Sequence, residues 1–303
     1  MPMQGAHFNV FRENPNPSHM NTRIRTHMHT QHKFEKLKSI LAEMGSAVVA
    51  YSGGADSTFL LKIAFDVLHD RVLAVTARSE TYPENEIAGA EKVVRQIGAQ
   101  HMTIETRELN DERYASNPPD RCYYCKKELF STLVALAGEM KYSYVADGSN
   151  LDDDDDFRPG SRAIVELGIR SPLQEAGLHK NEIRELSREM GLVTWDKPAM
   201  PCLATRIPYG TRITRERLVM IKKAERCLFE LGFSNFRVRY HGDVARIELL
   251  QNDMPRILAA DISEKIISRF KELGFTFIAL DMQGYRMGSM NELLPNKSIR
   301  GEQ

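Results

Sequence analysis

A glycine turn directly after a short apolar segment constrains the fold of this chain more than any other feature. Residues 47–51 (AVVAY) have the composition of a strand that is buried on both faces. Residues 52–57 (SGGADS) follow at once, and a helical pattern begins at Ser57. The two glycines allow a tight turn, so that the amide groups of the turn and of the helix start face one point. This order of strand, loop and helix predicts a binding site for an anion such as pyrophosphate.

The pattern after this loop alternates between helices and strands. Helices are predicted at about 57–68, 84–97, 126–137 and 179–190, and strands at 72–76, 102–105 and 142–146. Strand–helix alternation with short connections indicates a parallel sheet that is covered on both faces. We therefore expect residues 33–205 to form a doubly wound α/β domain, with ligands at the carboxyl ends of its strands.

Two further segments complete the predicted organisation. Residues 1–32 are polar, lack periodicity and contain five of the nine histidines, so we expect a disordered extension. Residues 206–303 follow a proline-containing loop and are predicted to form a smaller α+β domain for substrate and oligomer contacts. Its expected elements are helices at 215–231 and 261–273 and strands at 236–240, 245–250 and 275–280.

The composition narrows the class of protein. The 41 Lys and Arg residues balance the 41 Asp and Glu residues, which argues against a long nucleic acid as partner. Four cysteines in 303 residues do not form a disulfide framework. No apolar segment approaches the roughly 20 residues that a membrane-spanning helix needs. We expect a cytoplasmic enzyme that binds neither membrane nor nucleic acid.

The close cysteine pair in residues 121–127 (RCYYCKK) indicates metal or redox chemistry. Cys122 and Cys125 open a predicted helix, whose N-terminus and neighbouring cations are expected to lower the pKa of the thiols and favour thiolates. A third cysteine, Cys202, lies in a loop at 201–210 (PCLATRIPYG) that could return over the strand ends.

Three thiolates would leave one iron of a [4Fe–4S] cube open for a substrate or for sulfide. A zinc site that recruits Cys227 and a redox-active cysteine pair are the alternatives that the residues leave open. Cys227 itself lies inside an amphipathic helix, which favours the role of a small buried apolar residue.

The SGGADS segment matches the SGGxDS motif of the PP-loop ATP pyrophosphatases, and the chain resembles that superfamily further at 147–153 (DGSNLDD) and 158–160 (RPG). These enzymes cut ATP between its α- and β-phosphates and attach AMP to a substrate oxygen. The resemblance implies a PP-loop, adenine nucleotide alpha hydrolase-like fold and Mg²⁺ bound by Asp56 and Asp152. It assigns ATP and pyrophosphate binding to Ser52, Gly53, Gly54, Asp56, Ser57, Thr76 and Gly148.

A closer match comes from the loop around Cys202 together with 236–242 (FRVRYHG), 246–248 (RIE) and 284–289 (GYRMGS). From about residue 34 to 294 the chain resembles the LarE family of pyridinium-3,5-biscarboxylic acid mononucleotide sulfurtransferases. Members adenylate a carboxylate of that nucleotide and replace the activated oxygen with sulfur, releasing AMP and pyrophosphate, in nickel-pincer cofactor biosynthesis. The resemblance implies ATP, Mg²⁺, a sulfide donor, a small nucleotide substrate and a homo-oligomer such as a hexamer.

Members of this family obtain their sulfur in two ways. In one kind a single cysteine at the position of Cys202 gives up its own sulfur; in the other, three cysteines hold a [4Fe–4S] cluster that carries an extra sulfide. Because this chain has the additional pair, it resembles the second kind, with Cys122, Cys125 and Cys202 as cluster ligands. The resemblance makes Cys202 and Asp56 the catalytic residues.

Arginine suits the bidentate recognition of carboxylate and phosphate groups. Candidates for holding the nucleotide substrate are Arg206, Arg237, Arg239 and Arg286. Two other functions remain open at this point: a PP-loop tRNA thiolase, and an ammonia-using PP-loop synthetase with structural zinc.

Overall fold

The computed structural model of the protein describes residues 17–82, 84–154, 159–198, 201–286 and 288–293. Its larger sheet has four strands in the order β3-β2-β1-β4, and every neighbouring pair is parallel. The strands are β1 (Ala47–Ala50), β2 (Val72–Arg78), β3 (Gln100–Glu105) and β4 (Tyr144–Ala146). Since the strand order reverses beside β1, the carboxyl ends of β1 and β4 form the crevice where such sheets bind ligands.

Helices cover both faces of this sheet. They are α1 (Pro17–Met44), α2 (Ala55–Leu68), α3 (Glu84–Ile97), α4 (Glu112–Ala115), α5 (Arg121–Glu139), α6 (Ser161–Glu166), α7 (Pro172–Glu175) and α8 (Lys180–Glu189). Adjacent residues of β1 point to opposite sides because side chains alternate along a strand. Val49 packs with Leu41 and Phe59 in one core, whereas Val48 packs with Phe130 and Leu133 in another. The predicted doubly wound parallel sheet is confirmed.

Helix α1 begins much earlier than the sequence pattern predicts. Residues 17–32 are helical, so the prediction of disorder is wrong for them, while residues 1–16 lie outside the described residues. The stabilising contacts are tertiary. Thr30 Oγ1 and Lys33 Nζ both donate to the carboxylate of Glu182 on α8, at 3.1 and 2.8 Å. Such contacts leave no periodic signal in the local sequence.

The C-terminal region forms a smaller α+β unit, as predicted. Its elements are α9 (Arg215–Glu230), β5 (Arg237–His241), β6 (Val244–Glu248), α10 (Met254–Ile257), α11 (Ala260–Glu272) and β7 (Phe277–Leu280). β6 is central, antiparallel to β5 and parallel to β7. Leu228 of α9 and Phe270 of α11 pack with Val238 of β5 in a separate core of the C-terminal unit. The neighbours of Val238 on β5, Arg237 and Arg239, therefore lie on the other face of this sheet.

The two regions are joined through an apolar cluster. Leu203 and Ile207, on either side of the predicted boundary at 205/206, pack with Tyr114, Leu218 and Ile221. Leu203–Arg206 is a single 3₁₀ turn, so the boundary itself falls within a packed element. The division into domains at this residue stays a prediction. None of the helices in the described part of the chain is both long and apolar enough to cross a membrane.

Candidate active site

The phosphate loop, residues 52–57, is held together by its own side chains. Ser52 Oγ lies 3.0 Å from Ser57 Oγ, and the amide of Gly54 donates to Ser52 Oγ at 3.3 Å. Gly53 has φ +72°, and a Cβ at this position would lie 2.9 Å from the Cβ of Ala90 on α3. Only glycine therefore fits there. The loop leads directly into α2, whose N-terminus carries partial positive charge.

The segment after β4 forms a second wall of this loop. A Cβ on Gly148 would lie 3.0 Å from the backbone nitrogen of Ser57, so the two backbones are in close contact. Asp147 accepts hydrogen bonds from Ser149 Oγ at 2.6 Å and Ser171 Oγ at 2.7 Å, which fix its carboxylate. Lys126 Nζ of α5 lies 4.0 Å from Asp147 Oδ2. The first turns of α5 thus reach the edge of the sheet that carries the phosphate loop.

The resemblance assigns two other residues, Thr76 and Asp152, to ATP or Mg²⁺. Both make their hydrogen bonds outside the phosphate loop. Thr76 is buried on β2, where its Oγ1 lies 2.9 Å from His101 Nε2. Asp152 instead caps α8, because its carboxylate accepts from the Lys180 amide at 2.7 Å and lies 2.6 Å from His179 Nδ1. These bonds lower the pKa of Asp152, with that to His179 contributing most. Both of its oxygens are engaged by α8, which disfavours Asp152 as a Mg²⁺ ligand. Residues 155–158, including the arginine of the RPG segment, lie outside the described residues.

The structure brings the three predicted cluster cysteines together. Cys122 and Cys125 lie three residues apart in the first turns of α5, and Cys202 immediately precedes the 3₁₀ turn Leu203–Arg206. The amide of Leu203 donates to the carbonyl of Thr81 at 2.8 Å, which anchors this loop beyond the end of β2. Cys125 and Cys202 contact the same apolar cluster around Tyr114. The charges of Cys122 and Cys202 also act on each other and on Cys125.

Burial dominates the ionisation of these thiols. It raises the pKa of Cys125 well above its ordinary value, and the charges of Glu108 and Cys202 add to the effect. Burial also raises the pKa of Cys202, against which Arg121 and Arg206 act. The expectation that a helix N-terminus and cations would lower the pKa is therefore wrong for Cys125, because desolvation outweighs both.

The described residues do not support a single-ion zinc site. Within that part of the chain, no three His, Cys, Asp or Glu side chains meet closely enough to hold one metal ion. Cys227 packs against the core of the C-terminal unit, where burial raises the pKa of its thiol. This is expected for a small apolar residue on α9.

Arg206 differs from the role predicted for it. Its side chain is 1% exposed, and its Nε and Nη2 donate to the two carboxylate oxygens of Glu225 at 2.9 and 3.2 Å. Its Nη1 donates to the carbonyl oxygens of Pro201 and Cys202 at 2.8 and 3.2 Å. All three nitrogens are engaged, so Arg206 holds the Cys202 loop on α9 and has no nitrogen left for substrate.

The other three predicted arginines line the polar face of the second sheet. Arg239 donates to Glu248 Oε2 at 2.8 Å and to the carbonyl of Thr205 at 2.9 Å. Arg237 stacks on the ring of Tyr285, and burial together with the charge of Arg206 lowers the pKa of its guanidinium. Arg286 is partly exposed and pairs with Glu292 and Asp281. Arg237 and Arg239 are therefore buried at this face, and the charges of Arg239 and Arg286 are balanced by carboxylates.

Three buried polar residues near the cysteines were not identified as site residues from the sequence: Glu108, Tyr114 and Arg121. Glu108 Oε1 accepts from Ser79 Oγ at 2.6 Å and from Thr81 Oγ1 at 2.7 Å, in the segment that also binds Leu203. Burial would lower the pKa of Arg121, but the charges of Cys122 and Cys202 raise it overall. We call these three residues together with Cys122, Cys125 and Cys202 the thiol pocket. Only the position of Arg121 beside Cys122 offered a signal in the sequence.

Comparison with known proteins agrees with this arrangement. Residues 29–117, which include the phosphate loop, match the NAD synthase family. The pyridinium-3,5-bisthiocarboxylic acid mononucleotide synthase of Lactiplantibacillus plantarum is 38% identical over 264 residues, covering 87% of this chain and 95% of that protein. The chain belongs to the LarE family.

Two uncharacterized proteins are also similar to this chain over almost their whole length. A Synechocystis protein is 41% identical over 262 residues, covering 86% of this chain and 98% of its own length. A Methanocaldococcus jannaschii protein is 30% identical over 259 residues, covering 84% and 97%. The similarity is therefore not confined to the phosphate loop.

Proposed function

We propose that the protein is an ATP-dependent sulfurtransferase that acts on pyridinium-3,5-biscarboxylic acid mononucleotide. It adenylates a carboxylate of this nucleotide, releases pyrophosphate, and exchanges the activated oxygen for sulfur with release of AMP, in nickel-pincer cofactor biosynthesis. The observation that supports this most directly is the position of Cys202. Its loop is anchored beyond the end of β2 and is held by Arg206, and the charge of Cys122 acts on its thiol.

Activation is needed because a carboxylate is a poor electrophile whose leaving group would be oxide. Attachment of AMP provides a stabilised leaving group. The amides of the phosphate loop and the N-terminus of α2 neutralise the departing pyrophosphate. Asp56 lies in the first turn of α2, where its carboxylate suits a Mg²⁺ ion bound to the phosphates. Such an ion supplies charge neutralisation on the phosphate oxygens.

The polar face of the second sheet is the proposed site for the nucleotide substrate. Arg237 is the best candidate for its carboxylate and phosphate groups, while Arg239 is held by Glu248 and Thr205 and Arg286 by Glu292 and Asp281. The contact of Arg206 with the Cys202 carbonyl keeps the thiol loop next to this face.

The three cysteines of the thiol pocket would hold the [4Fe–4S] cluster, and their donor set fits it. When bound, the cluster supplies iron as the cation that ionises these thiols and one iron able to take up sulfide from a donor. The protein's own residues fix the loop that carries Cys202, through Arg206 and the carbonyl of Thr81. We place the protein in the cytoplasm, where ATP is available and thiols stay reduced.

Assembly into a homo-oligomer is part of the proposal. Large apolar side chains on the C-terminal unit are exposed, among them Phe229 at 68%, Leu258 at 68% and Phe277 at 63%. Monomeric proteins rarely leave many such residues uncovered in one region. Sedimentation velocity is expected to show a species heavier than the monomer; a monomer at micromolar concentration would contradict this part.

The test combines two readouts on anaerobically purified protein. With ATP, Mg²⁺, the nucleotide and sulfide, we expect AMP, pyrophosphate and a product whose mass shows replacement of oxygen by sulfur. With hydroxylamine in place of sulfide, the acyl adenylate should be trapped as a hydroxamate. Absence of hydroxamate would overturn the adenylation step. Absence of both iron and acid-labile sulfide would overturn the cluster alone.

The same assay separates the two alternatives. An ammonia-using synthetase would convert the substrate to an amide and would keep its activity in Cys202→Ser, whereas the proposed sulfurtransferase would not. A tRNA thiolase would retain tRNA at moderate salt and thiolate it. The zero net charge of the chain disfavours this outcome.

A further inference from the structure

Lys126 of α5 places a cation at the carboxyl end of β4. Its Nζ lies 4.0 Å from Oδ2 of Asp147, the residue that directly follows this strand, and its side chain is 33% exposed. This separation is too long for a hydrogen bond, so Asp147 attracts the ammonium group without accepting a hydrogen bond from it. The ammonium group therefore lies at the crevice beside the carboxyl ends of β1 and β4, where such sheets bind ligands.

The path of the Lys126 side chain depends on glycine at residue 160. A Cβ on Gly160 would lie 2.6 Å from Cδ of Lys126 and 3.3 Å from the carbonyl oxygen of Cys122. The ammonium group lies 5.9 Å from the centroid of the Phe130 ring, one turn further along α5. Glycine at this position thus leaves the space through which Lys126 reaches the end of β4.

Lys126 also lies between the two parts of the proposed reaction site. The backbone of Gly148, next to Asp147, is in close contact with the backbone nitrogen of Ser57 at the phosphate loop. In the chain, Lys126 directly follows Cys125 on α5. The loop takes the pyrophosphate and the cysteines deliver sulfur, so the carboxyl group that is first adenylated and then attacked must lie between them.

Adenylation brings two anions together. The carboxylate of the substrate attacks the α-phosphorus of ATP while both groups carry negative charge, and their repulsion raises the barrier unless a cation lies beside them. A lysine ammonium group is a compact point charge with three donors, so it can contact one oxygen of each anion.

We infer that Lys126 is a catalytic residue of the adenylation step, whose ammonium group contacts the attacking carboxylate and a nonbridging oxygen of the α-phosphate. A bond forms between a carboxylate oxygen and the α-phosphorus, the bond from that phosphorus to the bridging oxygen breaks, and pyrophosphate leaves with the electron pair. Lys126 neutralises charge and exchanges no proton. The inference rests on the proposed function and deepens it, because it assigns part of the first half-reaction to a residue outside the phosphate loop.

The experiment compares Lys126→Met with Lys127→Met, the matched control on the same helix. The ammonium group of Lys127 donates to the Tyr123 hydroxyl at 2.8 Å and to Glu166 at 3.3 Å. Lys126→Met should lower the rate of hydroxamate formation at saturating ATP and nucleotide by about 100-fold, as expected for loss of one group that stabilises transition-state charge. Lys127→Met should stay within about twofold of wild type, because it removes only an exposed ion pair.

Binding of α,β-methylene-ATP, which cannot release pyrophosphate, separates a catalytic role from a structural one. The Kd of Lys126→Met for this analogue in the presence of Mg²⁺ should rise by less than about fivefold, because the contact to the attacking carboxylate is made only during the reaction. A rise in Kd as large as the fall in rate would overturn the inference, since Lys126 would then only bind ATP or support the fold.

Gly160→Ala tests the path of the side chain. The added Cβ should displace Lys126 and lower hydroxamate formation by about 10-fold. In the Lys126→Met background the same change should have an effect of less than about twofold, because the displaced side chain no longer carries charge. Gly138→Ala, also on α5, is the control, since a Cβ there meets nothing within 4 Å.

A rate of hydroxamate formation within about threefold of wild type in Lys126→Met would overturn the inference. Additive effects of Gly160→Ala and Lys126→Met would do the same. If Lys126→Met does not fold, Gly160→Ala alone decides, and a wild-type rate in that variant would overturn the inference. Failure of the proposed function gives a different result: the wild-type protein would bind α,β-methylene-ATP but form no hydroxamate.

Discussion

The phosphate loop and the thiol pocket are built in opposite ways. The loop consists of six consecutive residues, and Ser52, Gly54 and Ser57 hold its shape through bonds within the loop. The pocket is assembled from the segment 108–125 and the Cys202 loop, held by the turn after β2. The comparison teaches that the phosphate loop is shaped by neighbouring residues, whereas the thiol pocket depends on contacts between segments far apart in the sequence.

The largest expected effect is the loss of sulfur transfer without loss of adenylation. Cys202→Ser should reduce formation of the thiolated product by about 1000-fold or more, since the sulfur-handling thiol is lost. Hydroxamate formation should stay within about twofold of wild type, because adenylation does not use this thiol. The two rates can be measured in parallel by mass spectrometry and colorimetry. Equal loss of both would show that the regions do not function separately.

A change in the phosphate loop should instead abolish both steps. Gly53→Val introduces a Cβ against Ala90 in a left-handed conformation, so we expect adenylation and thiolation to fall together by about 100-fold. Gly45→Val is the control: Gly45 has φ +71°, but a Cβ there meets nothing within 4 Å. It should lower stability by about 1–2 kcal/mol without loss of activity. Retained thiolation in Gly53→Val would contradict a shared nucleotide step.

The ion pair between Arg206 and Glu225, which holds the Cys202 loop on α9, is expected to contribute to the free energy of unfolding. Arg206→Met leaves Glu225 buried without its cation and should lower the free energy of unfolding by about 3–5 kcal/mol. Arg212→Met removes an exposed ion pair with Glu112 and should cost less than about 1 kcal/mol. Denaturant unfolding measures both values. A stable Arg206→Met protein with a raised KM for the nucleotide would restore the substrate-binding role predicted from the sequence.

The smallest effect concerns Asp152. Asp152→Asn should destabilise the protein by less than about 1 kcal/mol and leave the Mg²⁺ dependence of pyrophosphate release unchanged. Its lowered pKa means that the stability it contributes is present above its usual value of 3.8 and is lost as pH falls through the lower folded value. Acid titration of the unfolding midpoint should therefore be shallower in the variant below about pH 4. A marked increase in the Mg²⁺ requirement would show that this residue binds metal.

Much of the fold could be predicted because it is encoded locally. The apolar segment at β1, the glycines after it and the helical spacing of α2 and α3 are each decided by neighbouring residues. The helix start at Pro17 could not be predicted in this way, since Thr30 and Lys33 are held by Glu182, about 150 residues away.

The candidate site could likewise be predicted only in part: local motifs could be read from the sequence, whereas contacts between distant residues could not. The sequence pointed to Cys122, Cys125 and Cys202 through motifs, and the fold brings them together. It did not reveal that burial would outweigh the helix N-terminus in setting the pKa of Cys125. It also could not distinguish an arginine that binds substrate from one that braces a loop, because that depends on whether Glu225 reaches Arg206.

One hydrogen bond links the phosphate loop to the segment that precedes Cys202. The ammonium group of Lys197, five residues before Cys202, donates to the carbonyl oxygen of Gly53 at 2.9 Å. The side chain of Lys197 thus ties the segment that precedes the Cys202 loop directly to the backbone of the phosphate loop, so a substitution such as Lys197→Met would remove a direct bond between the two regions.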